Sequence, residues 1–206
     1  MPNLLVYYAH PAQRFSHTNA AMAVAAQSVH GITFVDLYAR YPRQNIDADR
    51  EQALLLEHDV ILFQFPLFWY STPSLVKEWQ DLVLEHGFAY GAGGTALEGK
   101  TMMLALTAAG SEEAYTPNGY QHYGLRTFLT PLEQTARLCK MRFPAPYVLH
   151  SSLHAVEQDQ VAPHTEGYVR LLTAIRDSRY DFEAAMTPDI VTFDSLPILS
   201  GGSNDG

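Results

Sequence analysis

A doubly wound α/β domain built on a five-stranded parallel sheet is predicted by three features of the chain. Five short apolar runs are too continuous to be half-exposed strands, helical spacing fills the segments between them, and no repeat or low-complexity stretch breaks the alternation. The 206 residues, 47% of them hydrophobic, suffice for one full core, so a single domain is expected over 1–180, followed by an acidic tail over 181–206.

The elements follow in order. NLLVYY (3–8) reads as the first strand, and TNAAMAVAAQSV (18–29) as the helix after it. ITFVDL (32–37) is the second strand, and DADREQALLLEH (47–58) is a helix with Asp47 in the N-cap position. DVILFQF (59–65) leads to TPSLVKEWQDLVLEH (72–86), where Thr72 stands as the cap ahead of Pro73. TMMLALT (101–107) precedes a helix over 125–139, and PYVLH (146–150) precedes TEGYVRLLTAIRD (165–177). Right-handed crossovers between such strands place ligands beyond the strands' C-terminal ends.

Composition removes several function classes. No apolar run approaches the roughly 20 residues of a membrane span, and MPNLLVYYAHP lacks the basic flank and long apolar region of a signal peptide, so a cytoplasmic protein is expected. One cysteine, Cys139, precludes an internal disulfide or a multi-cysteine metal site and reads as a buried small hydrophobe. A net charge of -9 argues against binding nucleic acid. No metal site is expected: His150 and His154 end a strand, and no carboxylate or cysteine joins them at ligand spacing.

Three strand ends carry unusual loops: AHPAQRFSHTN after the first, QFPLFWYSTP after the third and AAGSEEAYTPNGYQHYG after the fourth. In the strand order 2-1-3-4-5 these ends are neighbours, and the loops converge on one crevice. The first loop opens a helix whose free N–H groups favour an anion, with Ser16, Thr18 and Asn19 as added donors; an N-cap role for Ser16 or Thr18 is the competing reading. In the second, Pro66, Leu67, Phe68, Trp69 and Tyr70 form an aromatic ledge suited to a flat conjugated ligand, or to cover for the core or a subunit interface. Gly91-Ala92-Gly93-Gly94-Thr95-Ala96 fits a dinucleotide fingerprint, but it follows a helix and precedes a strand, the reverse of the required context. It reads as a loop bordering either a nicotinamide or a partner subunit.

HPAQRFSHTN, the block QFPLFWYSTPSLVKEWQDLVLEHGFAYGAGGTALEGK and the Thr107-Ala108-Ala109-Gly110…Tyr115 segment resemble the flavodoxin-like NAD(P)H dehydrogenase (quinone) family, and within it the ancillary subunits of glutathione-gated potassium-efflux systems. The resemblance covers roughly residues 3–150. It implies a flavodoxin-like fold, bound FMN or FAD with FMN favoured, NAD(P)H as co-substrate, quinone-type acceptors and a homodimer. It also implies that His10, Ser16, Thr18 and Asn19 hold the flavin phosphate and ribityl chain, that Pro66, Leu67, Phe68, Trp69 and Tyr70 border the isoalloxazine, and that Thr107, Ala108, Ala109 and Gly110 meet its polar edge. Tyr115 falls at the place of the catalytic tyrosine, and His122, in a loop that differs by one residue, is the approximate counterpart of the catalytic histidine. Where the family carries Thr-Thr-Gly-Gly, this chain has Thr107-Ala108-Ala109-Gly110.

Two function classes follow from the resemblance. One is a flavin-dependent NAD(P)H:quinone oxidoreductase. The other is a regulatory subunit at the cytosolic face of a membrane potassium-efflux protein, peripheral to the inner face of the membrane through that partner. Phe88-Ala89-Tyr90 and the aromatic residues of 115–123, placed near the C-terminal edge of the sheet, are expected at the dimer contact. IVTFDSLPIL in the tail carries enough apolar surface to dock, on its own subunit or on a partner, and the closing SGGSNDG is expected to be disordered.

Overall fold

The computed structural model describes residues 1–11 and 16–200. Residues 12–15 of the first loop and residues 201–206 of the tail, the latter including most of SGGSNDG, lie outside it.

Strands β1 (Leu4–Tyr8), β2 (Thr33–Asp36), β3 (Val60–Pro66), β4 (Thr101–Thr107) and β5 (Tyr147–Leu149) form one sheet in the order β2-β1-β3-β4-β5, every pair parallel. This is the topology expected from the alternation of apolar runs and helical segments. The register sets Tyr8 beside both Asp36 and Gln64, Pro66 beside Thr107, and Thr107 beside Leu149. The C-terminal ends of four strands therefore stand at one height.

Helices α1 (His17–Gln27) and α7 (Val161–Arg176) cover one face of the sheet. Met22, Leu171 and Leu172 pack there against Leu4, Val6, Leu62 and Met103. Between β2 and β3 lie α2 (Leu37–Arg40) and α3 (Ala48–Glu57), followed by α4 (Ser74–Val83), and then by α5 (Leu125–Phe128) and α6 (Thr130–Leu138) after β4. On this second face Leu55, Leu75, Trp79 and Leu132 pack against Leu5, Tyr7, Phe63 and Leu104. Alternate residues of each strand thus serve opposite cores, which is why the runs read as continuously apolar.

Several boundaries differ from the expectation, each for a local reason. Asp47 does cap α3, accepting from the Arg50 N–H at 3.1 Å, but Thr72 does not cap α4: Pro73 holds the N-cap position and the helix starts at Ser74. The helix expected over 125–139 is split, because Pro131 has no N–H for the Thr127 carbonyl, and the Thr130 hydroxyl donates to that carbonyl instead at 2.8 Å. Helix α7 starts at Val161, since Pro163 falls in the first turn, where its missing N–H costs nothing. The short α2 was not expected; Asp36 caps it by accepting from the Ala39 N–H at 3.0 Å.

Glu51 of α3 is fully buried. Its carboxylate accepts from the Tyr7 hydroxyl at 2.5 Å, the Tyr41 hydroxyl at 2.6 Å, Arg40 at 3.0 Å and the Trp79 indole at 3.1 Å. Four donors from β1, α2, α4 and the residue after α2 meet on one side chain. Burying a charge at this price is tolerable because each lone pair finds a partner.

The segment after α7 turns back along its own subunit. Val191 donates to the Pro146 carbonyl and accepts from the Val148 N–H, both at 2.9 Å, so it extends the outer edge of β5. Phe182, Phe193, Leu196 and Ile198 pack against the α1–α7 core.

Candidate functional site

A cleft of about 440 Å³ opens at the C-terminal edge of the sheet, over the point where β1 and β3 send their connections to opposite faces. His10 borders it from the end of β1; Ser16, His17, Thr18 and Asn19 come from the start of α1. Pro66 and Phe68 follow β3, and Thr107 ends β4. The far wall is Ser152, Leu153 and Val156, from the connection after β5.

Ser16 is the N-cap of α1, and its side chain makes no capping hydrogen bond, so no capping hydroxyl claims the first-turn N–H groups. Thr18 and Asn19 are buried just below. The Asn19 side-chain amide donates to Thr107 Oγ1 at 2.8 Å, and the Gln64 amide donates to the Asn19 carbonyl at 2.9 Å. Asn19 Oδ1 and Gln64 Oε1 are buried without a hydrogen-bond partner. An unpaired buried acceptor costs about 1–3 kcal/mol; of the two residues only Asn19 lines the cleft, and its corner favours a ligand that brings donors.

The connection after β3 is a shaped turn. Phe68 and Ser71 exchange two backbone hydrogen bonds at 3.0 Å, while Trp69 and Tyr70 take φ values of 47° and 64°. A two-residue hairpin turn with both residues left-handed usually carries Asn or Gly; two aromatic residues there cost about 1–2 kcal/mol each. The strain presents Phe68 to the cleft, edge-on to His10 at 5.8 Å between ring centroids, and leaves Trp69 92% exposed. Tyr70 turns away to stack on Phe128 at 4.8 Å, and Leu67 is buried in the core.

None of Ala108, Ala109 and Gly110 takes a left-handed φ, so the two alanines fit the turn without strain. Glycine at 110 has a different cause: a Cβ there would lie 2.9 Å from the Tyr115 ring and 3.1 Å from the Tyr120 hydroxyl. Tyr115 is buried in a short 3₁₀ turn, Glu113–Tyr115, packed edge-on to Phe128 at 6.0 Å. Burial, with Tyr120 and Tyr70 nearby, pushes its hydroxyl above the usual tyrosine range. It borders an adjoining cleft of about 180 Å³ rather than the larger one.

The histidine beside Tyr115 is His150, 5.6 Å away between ring centroids, whose pKa burial lowers against the opposing pull of Glu112, the Gly110 carbonyl and Glu113. His122 stands exposed on a left-handed backbone (φ 63°) and lines neither cleft. Burial also holds the His10 pKa below the ordinary histidine value.

A family model described as having a flavodoxin-like fold matches residues 2–172. The chain belongs to that family. This flavodoxin-like chain is 42% identical to the glutathione-regulated potassium-efflux system ancillary protein KefG of Cronobacter sakazakii, over 82% of its own length and 91% of the relative. Among solved structures, general stress protein 14 of Treponema denticola, crystallised with FMN, superposes with a TM-score of 0.75 at 33% identity, covering 86% of this chain and 99% of the other. An NADPH-quinone reductase from P. pentosaceus superposes with a TM-score of 0.71 at 27% identity, covering 82% and 96%.

Two features go beyond the three loops read from the sequence. A fourth connection, over 150–160, builds the cleft wall, with Leu153 and Val156 77% and 57% exposed. The Gly91–Ala96 loop does not border the cleft. It reaches β4 at its N-terminal end, where Gly99 donates to the Lys140 carbonyl, and Phe88 and Tyr90 beside it pack half-buried against the flavodoxin-like core. Among the described residues, no group of three or more histidine, cysteine, aspartate or glutamate side chains is placed to hold a metal ion, and no helix is long and apolar enough to cross a membrane.

Proposed function

We propose that the chain is a flavin-dependent oxidoreductase that takes FMN in the 440 Å³ cleft, oxidises NAD(P)H and reduces quinones or related electrophiles. The observation that carries this reading is the convergence of the α1 N-terminus, with its first-turn N–H groups unclaimed by the Ser16 side chain, and the unpaired acceptor of Asn19 on one cleft walled by Phe68 and Leu153. An anion at one end and a flat donor-bearing ring at the other match that distribution. FMN has both, and the FMN-bound relative from Treponema denticola supports the choice over FAD.

When bound, the flavin supplies hydride transfer between the nicotinamide and the acceptor. The chain's residues do the rest. Ser16, Thr18 and the first-turn N–H groups of α1 hold the phosphate, with His10 alongside, and Asn19 orients Thr107 toward the ring edge. Pro66, Phe68 and the residues from Thr107 to Gly110 border the ring. Trp69 shields the mouth from water. Tyr115, bordering the adjoining cleft, donates its proton to the acceptor oxygen. His122, on the same connection but lining neither cleft, takes a catalytic role only if the loop rearranges when the acceptor binds.

The protein acts in the cytoplasm as a homodimer in which a second copy covers Trp69, Tyr120 and Tyr123, which lie exposed beside the cleft. A second reading, a regulatory subunit on the cytosolic face of a potassium-efflux protein, is favoured by the 42% identity to KefG and uses the same aromatic surface. The test is NAD(P)H oxidation by the purified protein with and without FMN and a benzoquinone. FMN-dependent turnover supports the first reading. Its absence, with the protein retained on the cytosolic domain of a potassium-efflux protein, supports the second.

A further inference from the structure

We infer that residues 187–196 act as a strap that holds the far wall of the cleft in place, seated on Gly167 and Arg170 of α7. These residues lie beyond the span of 2–172 that the family model matches.

Glycine inside a 16-residue helix is an unfavourable choice, and Gly167 takes no left-handed φ that would require it. Its reason is the strap together with Tyr147 of β5. A Cβ at 167 would run into Phe193 Cβ, lie 2.5 Å from the Tyr147 hydroxyl and 2.9 Å from Phe193 Cα. Nearly one turn further on, the Arg170 guanidinium donates to the Phe193 carbonyl. The helix therefore carries both the space and the anchor for one residue of the strap.

From that seat the strap reaches the cleft through β5. Val191 exchanges hydrogen bonds with Pro146 and Val148 along the outer edge of this three-residue strand, which otherwise pairs with β4 alone. The chain leaves β5 straight into the cleft wall, where Ser151 donates to the Gly110 carbonyl at 2.9 Å and Ser152 to the Ala108 carbonyl at 3.0 Å. Thr192, Phe193 and Asp194 of the strap face His150, Ser151 and Gln158 of the wall connection across a second cleft of about 380 Å³. With the strap seated, β5 is paired on both edges and the wall connection starts from a fixed point. With it released, β5 is a frayed edge strand and Ser152, Leu153 and Val156 lose their support.

The experiment is residue-resolved hydrogen exchange on the full chain, comparing the wild type with Gly167→Ala and Arg170→Ala. Arg170 is exposed, so its change leaves α7 intact and isolates the strap contact, whereas a Cβ at 167 also meets the Tyr147 hydroxyl that bonds the His164 carbonyl of α7; Arg170→Ala is therefore the deciding variant. The expected result is faster exchange, by about tenfold or more, at Val191 and at Ser151 and Ser152 together in both variants, with β1 and β3 unchanged. Acceleration at Val191 alone would overturn the coupling to the wall. No acceleration in either variant would overturn the seat. Weaker FMN binding in the variants is a second expected readout, and that part rests on the proposed flavin site. A wild type that binds no FMN removes the flavin reading, while the exchange pattern still decides the strap.

Discussion

The side-chain amide of Asn19, in the first turn of α1, donates to Thr107 Oγ1 at the last residue of β4. The bond crosses β3, because Gln64 of that strand holds the Asn19 carbonyl from below. Helix start, central strand and the turn after β4 are therefore fixed relative to one another before any ligand arrives, which is the preorganisation a cofactor site needs.

Asn19→Ala removes that tie and leaves Thr107 Oγ1 without its donor. Loss of a buried hydrogen bond of about 1 kcal/mol predicts FMN affinity lower by about fivefold or more. Fluorescence titration checks it; equal affinity in a folded variant would show that the tie does not organise the site.

Glu51→Ala strips four donors of their shared acceptor and leaves Arg40 without its buried partner. Breaking a buried ion pair from one side costs about 3–5 kcal/mol. Urea unfolding is expected to show a loss of that size, and Glu51→Gln, which keeps the shape but not the charge, an intermediate one.

His164, fully buried and stacked on Tyr147 at 4.4 Å, has its pKa lowered to about 3 by burial. The folded state keeps it neutral while the unfolded chain takes up a proton near pH 6.5, so its contribution is complete above that pH and is lost as pH falls toward 3. Between pH 7 and 4.5 the loss is on the order of 2–3 kcal/mol. His164→Leu should be less sensitive to acid over that range by about this amount, as read by urea midpoints at the two pH values. Parallel curves for the two proteins would exclude the assignment.

Tyr115→Phe keeps the ring packed between Phe128 and His150 and removes the hydroxyl alone. FMN content should persist, and reoxidation of the reduced protein by quinone should slow by about 100-fold. An unchanged stopped-flow rate would make Tyr115 a packing residue.

The sheet and its order were legible in the sequence because a parallel strand covered on both faces, as Ile61, Leu62 and Phe63 are, has no polar side to disguise it. The convergence of His10, Thr18, Asn19 and Thr107 was legible too, since it follows from strand order. The Asn19–Thr107 bond was not: the two residues are 88 apart in sequence, and no local pattern encodes a pairing across β3. Phe88 and Tyr90 pack half-buried against the core, a contact that aromatic content alone does not specify. The wall of Ser152, Leu153 and Val156 was missed because the connection after β5 carries no glycine, proline or aromatic residue to mark it.

The measurement that bears most directly on the proposed site is a comparison of FMN with riboflavin in equilibrium binding to the wild-type protein. The two ligands share the ring and the ribityl chain and differ by the phosphate, which the α1 N-terminus and Ser16 are proposed to hold. Charge-assisted hydrogen bonds of about 1.5–3 kcal/mol predict FMN bound about tenfold to 100-fold more tightly than riboflavin. Equal affinities, or no binding of either flavin, would contradict the account.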